Sequence, residues 1–319
     1  MAGATGTIGR ATAAALVARG HDVAALVRPP RKGGRRAQTK LAAGVSIRSG
    51  DVTDPTSLIR DGFNGERFDV VVSCLASRTG APDDAWAIDH DAHVQLLDVA
   101  RDHGVRRFIL LSALCVQRPM LAFQHAKLAF EAKLMESALD HAIVRPTAYF
   151  KSLAGQLDRV RAGKPYLLFG DGRLTACKPI SDRDLGDYLA RCVDTPALRN
   201  RILPIGGPGP AITPRDQADH LFAKLGLPPR YKHVPLAMMD AIVAGLGGFS
   251  RVVPSLRAKA ELARIGRYYA SQSMLVWDEA RGRYDAQATP VHGNDTLFAY
   301  YDELIARGAS VDRGDHAVF

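Results

Sequence analysis

The chain opens on Gly3-Ala4-Thr5-Gly6-Thr7-Ile8-Gly9 and runs directly into an Ala-rich segment, Arg10–Arg19. Glycines at this spacing each answer a physical need. One turns the backbone sharply, one lets an anionic group reach the main chain, and one lets the following helix pack closely on a sheet. The first helical turn then presents unpaired N–H groups and a partial positive charge to whatever the loop holds. Asp22–Val27 reads as the next strand. In that βαβ context the pattern points to a bound dinucleotide rather than a plain glycine-rich turn, with Gly3, Thr5, Gly6, Thr7, Ile8 and Gly9 around its phosphates.

The strand that ordinarily feeds such a loop is missing, because only Met1 and Ala2 precede the first glycine. In a doubly wound sheet that strand is central, so its truncation predicts a gap between its neighbours. The favoured explanation is a start codon assigned too late, with a short apolar strand upstream.

Candidate strands Asp22–Val27, Val45–Ser49, Asp69–Cys74, Arg107–Leu111 and His141–Val144 alternate with candidate helices Arg10–Arg19, Thr56–Asp61, Asp84–His103 and Ala122–Ser137. Near-continuous apolar strands separated by helices argue for an α/β fold, a Rossmann-type doubly wound parallel sheet covered on both faces. At 319 residues the chain has room for such a domain over residues 1–150 and a smaller substrate-binding lobe over 151–319. Past Pro146 the pattern loosens. Pro165–Phe169 and Arg173–Lys178, joined by Gly170-Asp171-Gly172, predict a hairpin, and helices follow at Arg183–Val193 and Pro214–Leu225. The apolar, glycine-containing stretch Met238–Phe249 fits a buried helix pair or a segment that touches a membrane; burial is the expectation.

Several function classes recede. No apolar run approaches the ~20 residues that cross a bilayer, and no signal peptide is visible. Cys74, Cys115, Cys177 and Cys192 are widely spaced, which fits reduced thiols in a cytoplasmic setting, and the histidines show no metal-ligand spacing. The net charge of +9 fits cofactor phosphates, an anionic small molecule or an acidic membrane surface. The charges are scattered and form no nucleic-acid recognition module.

Arg28 closes the strand after the glycine loop. An acidic residue there would bond the ribose hydroxyl of NAD, whereas Arg suits the 2′-phosphate of NADP. Arg31, Lys32, Arg35 and Arg36 would add to the positive field. Asp51 and Val52 follow the candidate strand Val45–Ser49 at the adenine side, and Cys74, Leu75 and Ala76 end the next; both segments also read as ordinary strand-end turns. Phe123-Gln124-His125-Ala126-Lys127 has the Tyr-x-x-x-Lys spacing of short-chain dehydrogenases with Phe in place of Tyr. Keeping Lys127 without that Tyr argues against alcohol–carbonyl interconversion and leaves a nicotinamide set for another acceptor, such as an activated C=C bond. Pro146, Thr147 and Tyr149 border the nicotinamide, Tyr149 being a candidate proton donor alongside Lys127 and His125.

Together these residues resemble an atypical short-chain dehydrogenase of the NmrA-like type. More narrowly, the chain is similar to the 3,8-divinyl (proto)chlorophyllide 8-vinyl reductases. The similarity is carried by Val70–Arg78, Phe123–Glu131, Arg145–Ser152, Phe169–Asp184, Ile205–Pro214 and Ile265–Val276 with Arg267-Tyr268-Tyr269. It implies NADPH-dependent reduction of the 8-vinyl group of divinyl chlorophyllide or protochlorophyllide to ethyl. Lys127, Tyr149 or water would deliver the proton, and the protein would lie in a bacterial cytoplasm, at most peripheral to a photosynthetic membrane. A non-catalytic NADP-sensing relative and a reductase of another conjugated alkene are the competing readings.

Overall fold

The computed structural model describes residues 1–29, 41–250 and 253–309. Arg31, Lys32, Arg35 and Arg36 lie outside the described residues. The strands, in chain order, are β1 (Val23–Val27), β2 (Val45–Ser49), β3 (Val70–Ser73), β4 (Arg107–Leu111), β5 (Asp140–Pro146), β6 (Tyr166–Phe169), β7 (Arg201–Ile205), β8 (Tyr231–Val234), β9 (Val276–Asp278) and β10 (Arg283–Asp285). The α-helices are α1 (Thr7–Ala18), α2 (Pro55–Ser57), α3 (Pro82–Ala85), α4 (Ala92–Asp102), α5 (Ala122–Glu136), α6 (Phe150–Leu153), α7 (Leu157–Arg161), α8 (Asp182–Asp194), α9 (Pro214–Leu225), α10 (Leu236–Phe249), α11 (Arg257–Tyr269) and α12 (Leu297–Ala306).

The main sheet is parallel throughout, with β2 beside β1 and then β3-β4-β5-β7. Strand β4 shows why. All five of its residues are buried. Phe108 and Leu110 pack with Phe130 and Leu96 from α5 and α4, while Ile109 and Leu111 pack with Ile8 of α1 and Leu185 of α8. A strand with helices on both faces has no polar face to keep, hence its continuous apolar run. Helix α8 lies close on α1 because a Cβ at Gly186 would come 2.6 Å from the Ala11 backbone.

The gap between β1 and β3 is present, and two residues bridge it. Ala2 donates its N–H to Val72 at 2.9 Å and accepts from Cys74 at 3.0 Å; the Met1 carbonyl accepts from Leu26 at 2.9 Å. Behind them a cavity of about 40 Å³ remains, lined by Ala24, Leu26, Phe68, Val71 and Leu96 among others.

Three expectations need correction. Residues 165–178 do not form a hairpin. β6 pairs in parallel with β8, and Cys177 exchanges backbone hydrogen bonds with Ile212 instead, so the turn at Gly170 and Gly172 leads away from β6. The helix expected over Asp84–His103 is interrupted by a π-helical turn, Trp86–Asp91, between α3 and α4. Residues Met238–Phe249 are helical and pack on α11 but are not buried: no residue of α10 is.

Beyond residue 150, β7 and α8 return to the main sheet, so the second lobe is assembled from what lies around them. Its core holds Tyr166, Leu168, Leu157, Leu221, Phe222 and Tyr301.

Candidate active site

The loop geometry explains two of its three glycines by steric need. Gly3 sits at φ +75°, and a Cβ there would come 2.5 Å from the Cys74 carbonyl. A Cβ on Gly9 would overlap the Gly3 carbonyl oxygen. Gly6 is different: its nearest neighbour would lie 3.5 Å away, so its missing side chain leaves open space on the outer side of the loop. Gly6 caps α1 with no side chain covering the helix end, and Thr5 and Gly6 are exposed while Ile8 is buried beneath. Free N–H groups, a helix dipole and open space fit a pyrophosphate. Exposed Arg10, donating to the Thr5 carbonyl at 2.7 Å, adds a cation that the sequence reading missed.

Arg28 is exposed immediately after β1. Asp51 lies near it with one carboxylate oxygen accepting from the Thr53 N–H and hydroxyl, at 2.9 and 2.7 Å. Those bonds, the backbone one foremost, hold its carboxyl below the usual range. The Val52 side chain is in the core with Leu58 and Phe63, so it is not available to a cofactor. Cys74, Leu75 and Ala76 leave β3 beneath Gly3, as a residue row beside a cofactor would.

Lys127 does not reach freely into the cleft. Its ammonium is 2.9 Å from the Asp89 carboxylate, which is wholly buried and also accepts from the Ser77 hydroxyl at 2.6 Å. The π-helical turn supplies Asp89 at this point, a common use of such turns at functional sites. Beside the pair, His93 places Nδ1 2.8 Å from the Ile88 carbonyl and Nε2 2.9 Å from the Ser73 hydroxyl. Burial first, and the Lys127 charge second, lower His93 to about 4. The ring is therefore neutral, donating from Nδ1 and accepting at Nε2. His125 points to solvent.

Tyr149 is half-buried at the end of β5, and its hydroxyl makes no hydrogen bond among the described residues. Burial, then the nearby Cys115 and Cys74 thiols, raise its phenol above the ordinary value. Tyr269, from the second lobe, directs its hydroxyl to Cys115 Sγ at 3.7 Å, and Tyr268 bonds the Cys115 carbonyl at 2.9 Å. These side chains gather at the carboxyl ends of β3, β4 and β5, where ligands bind in open α/β sheets. Pro146 is buried, and the Thr147 hydroxyl is engaged by the Lys178 carbonyl, which ties β5 to the second lobe. Asp89 was not singled out from sequence, and Ser77 and Tyr269 were given no role there. Only Ser77 and Tyr269 fell within stretches carrying the family resemblance.

A glycine loop on a parallel sheet, an exposed helix start and an Arg closing β1 define a Rossmann protein that holds a dinucleotide. In agreement, residues 3–196 match the NAD(P)H-binding family. The chain is 44% identical, over 99% of its length and 82% of the relative's, to a protein of Zea mays, the chloroplastic divinyl chlorophyllide a 8-vinyl-reductase. It is also 44% identical, over 96% of its length and 76% of the relative's, to the Arabidopsis thaliana protein of that name. The chain belongs to the divinyl chlorophyllide a 8-vinyl-reductase family. Its fold is shared with an Escherichia coli NADPH-dependent quinone oxidoreductase at 17% identity, with a TM-score of 0.65 over 95% of this chain and 98% of that one.

Proposed function

We propose that this chain reduces the 8-vinyl group of divinyl chlorophyllide, or of its protochlorophyllide precursor, to ethyl with NADPH in (bacterio)chlorophyll biosynthesis. The observation that carries the reading is relationship at 44% identity along nearly the whole chain. The residues present support it: Phe123 stands where an alcohol dehydrogenase needs its Tyr, and Lys127 pairs with Asp89 rather than with a phenol.

Bound at the glycine loop, NADPH would supply the hydride. The chain's own residues do the rest. The N–H groups at the start of α1 and the Arg10 guanidinium would hold phosphate, and Arg28 would meet the 2′-phosphate. Saturating the vinyl group also takes one proton. Tyr149, a phenol protonated at neutral pH, holds that proton at Oη, and no acceptor among the described residues competes for it. Lys127 acts through Asp89 and Ser77, fixing the wall that follows Ala76. Tyr268 and Tyr269 close the site from the second lobe and exclude water. The four free cysteines fit a reducing cytoplasm.

The test is anaerobic incubation with NADPH and divinyl chlorophyllide, read by chromatography. Conversion with NADPH and none with NADH supports the reading; folded protein that leaves the pigment unchanged refutes it. Tyr149→Phe is expected to lower turnover by roughly 10²–10⁴-fold, and unchanged turnover would assign the proton to water.

A further inference from the structure

We infer that α10, with the start of α11, is a docking hairpin that lies in the headgroup layer of an anionic lipid bilayer. Outward-facing Met238, Ala241, Ile242, Gly245 and Phe249 recur at helical spacing and form an unbroken apolar stripe. Met238, Ile242 and Phe249 are 49%, 47% and 67% exposed. Val253 and Leu262 continue the patch onto the next segment at 41% and 43%. Folded proteins seldom leave such a contiguous surface to water without a partner for it. Between the helices runs a groove of about 300 Å³, lined by Met239, Ile242, Leu262, Ala263, Phe169 and Lys259.

The charges around the stripe select the partner. Within α10 the one charged residue, Asp240, is neutralised by Arg267 at 2.6 Å. Glu261 of α11 is buried and paired with Arg264 at 3.0 Å. Arg257 and Lys259 are exposed on α11, and Lys232 is exposed just before α10; none of the three has a carboxylate partner among the described residues. An apolar stripe rimmed by unpaired cations matches a surface with an apolar interior and anionic headgroups. It suits a second copy of the same chain poorly, because a two-fold contact would bring like charges together. Fourteen residues of helix span about 21 Å, short of the ~30 Å hydrocarbon core, so the helix lies in the interface plane. No helix among the described residues is long and apolar enough to cross a membrane.

The inference concerns a surface outside the catalytic cleft, and its test needs neither pigment nor cofactor. The whole chain is floated with vesicles of phosphatidylglycerol and phosphatidylcholine, and with phosphatidylcholine alone. Binding is expected to the anionic vesicles and to weaken with added salt. Ile242→Glu combined with Phe249→Glu should cut it at least tenfold, and Lys259→Glu roughly fivefold. Both variants alter exposed side chains and should melt with wild type. Absence of vesicle binding by folded wild-type protein overturns the inference, as does undiminished binding by the double variant. A dimer that the double variant converts to monomer, without vesicle binding, assigns the stripe to a second copy and also overturns it.

Discussion

Replacing Lys127 by methionine would leave the Asp89 carboxylate with no paired cation among the described residues, in a place no solvent reaches. Asp89 is fully buried and Lys127 nearly so, at 2.9 Å. Methionine keeps most of the lysine stem, so little cavity opens, and the cost is that of an uncompensated buried charge, about 3–5 kcal/mol. Ser77 still donates to Asp89 from its hydroxyl at 2.6 Å and its N–H at 3.3 Å, which places the loss at the lower end, about 3 kcal/mol. Removing both charges, Lys127→Met with Asp89→Leu, deletes the unpaired carboxylate but strands the Ser77 donors, a cost of about 1–3 kcal/mol. Asp89→Leu alone would strand the buried Lys127 ammonium, again about 3 kcal/mol or more, so the double variant should be no less stable than either single, with a coupling of about 3 kcal/mol or more. Urea unfolding followed by circular dichroism measures each corner of the cycle. A single variant within about 1 kcal/mol of wild type, or additive losses, would refute the reasoning. Turnover of the folded double variant separates two roles: it stays low if Lys127 positions the site, and recovers if the pair only holds α5 to the π-helical turn.

Three further outcomes are expected. Gly9→Ala, whose new Cβ would overlap the Gly3 carbonyl oxygen, should weaken NADPH binding at least tenfold in a fluorescence titration. Arg28→Glu should weaken NADPH by about 10–100-fold, the loss of a charge-assisted bond of about 1.5–3 kcal/mol, while NADH is affected far less. His93 is depressed to about 4 from an unfolded value near 6.5, so its contribution is fully present above pH ~6.5 and is lost as pH falls through the folded pKa near 4, about 3 kcal/mol in all. His93→Gln should flatten that part of the stability profile, and an unchanged acid limb would show that His93 is not its source.

Much of the main sheet was legible because its strands are short apolar runs whose pairing is set by right-handed βαβ connections. Asp22–Val27 and Arg107–Leu111 appear in the structure almost residue for residue. The glycine loop was equally readable, since steric need leaves no alternative at Gly3 and Gly9. Long-range choices were not. β6 takes its partner from β8, more than sixty residues on, and no local pattern at residues 165–178 announces that. The π-helical turn that lowers Asp89 onto Lys127 has no turn residue to mark it, so a long amphipathic helix was the natural reading. The exposure of α10 was missed for a related reason: an apolar composition reads as burial until the rest of the fold leaves nothing to bury it against.

The most direct test of the central claim uses NADPH deuterated at its transferable position, with divinyl chlorophyllide and purified protein. The account predicts an 8-ethyl product carrying one deuterium, detected by mass spectrometry. Unchanged pigment in the presence of folded, NADPH-binding protein, or an ethyl product free of deuterium, would contradict it.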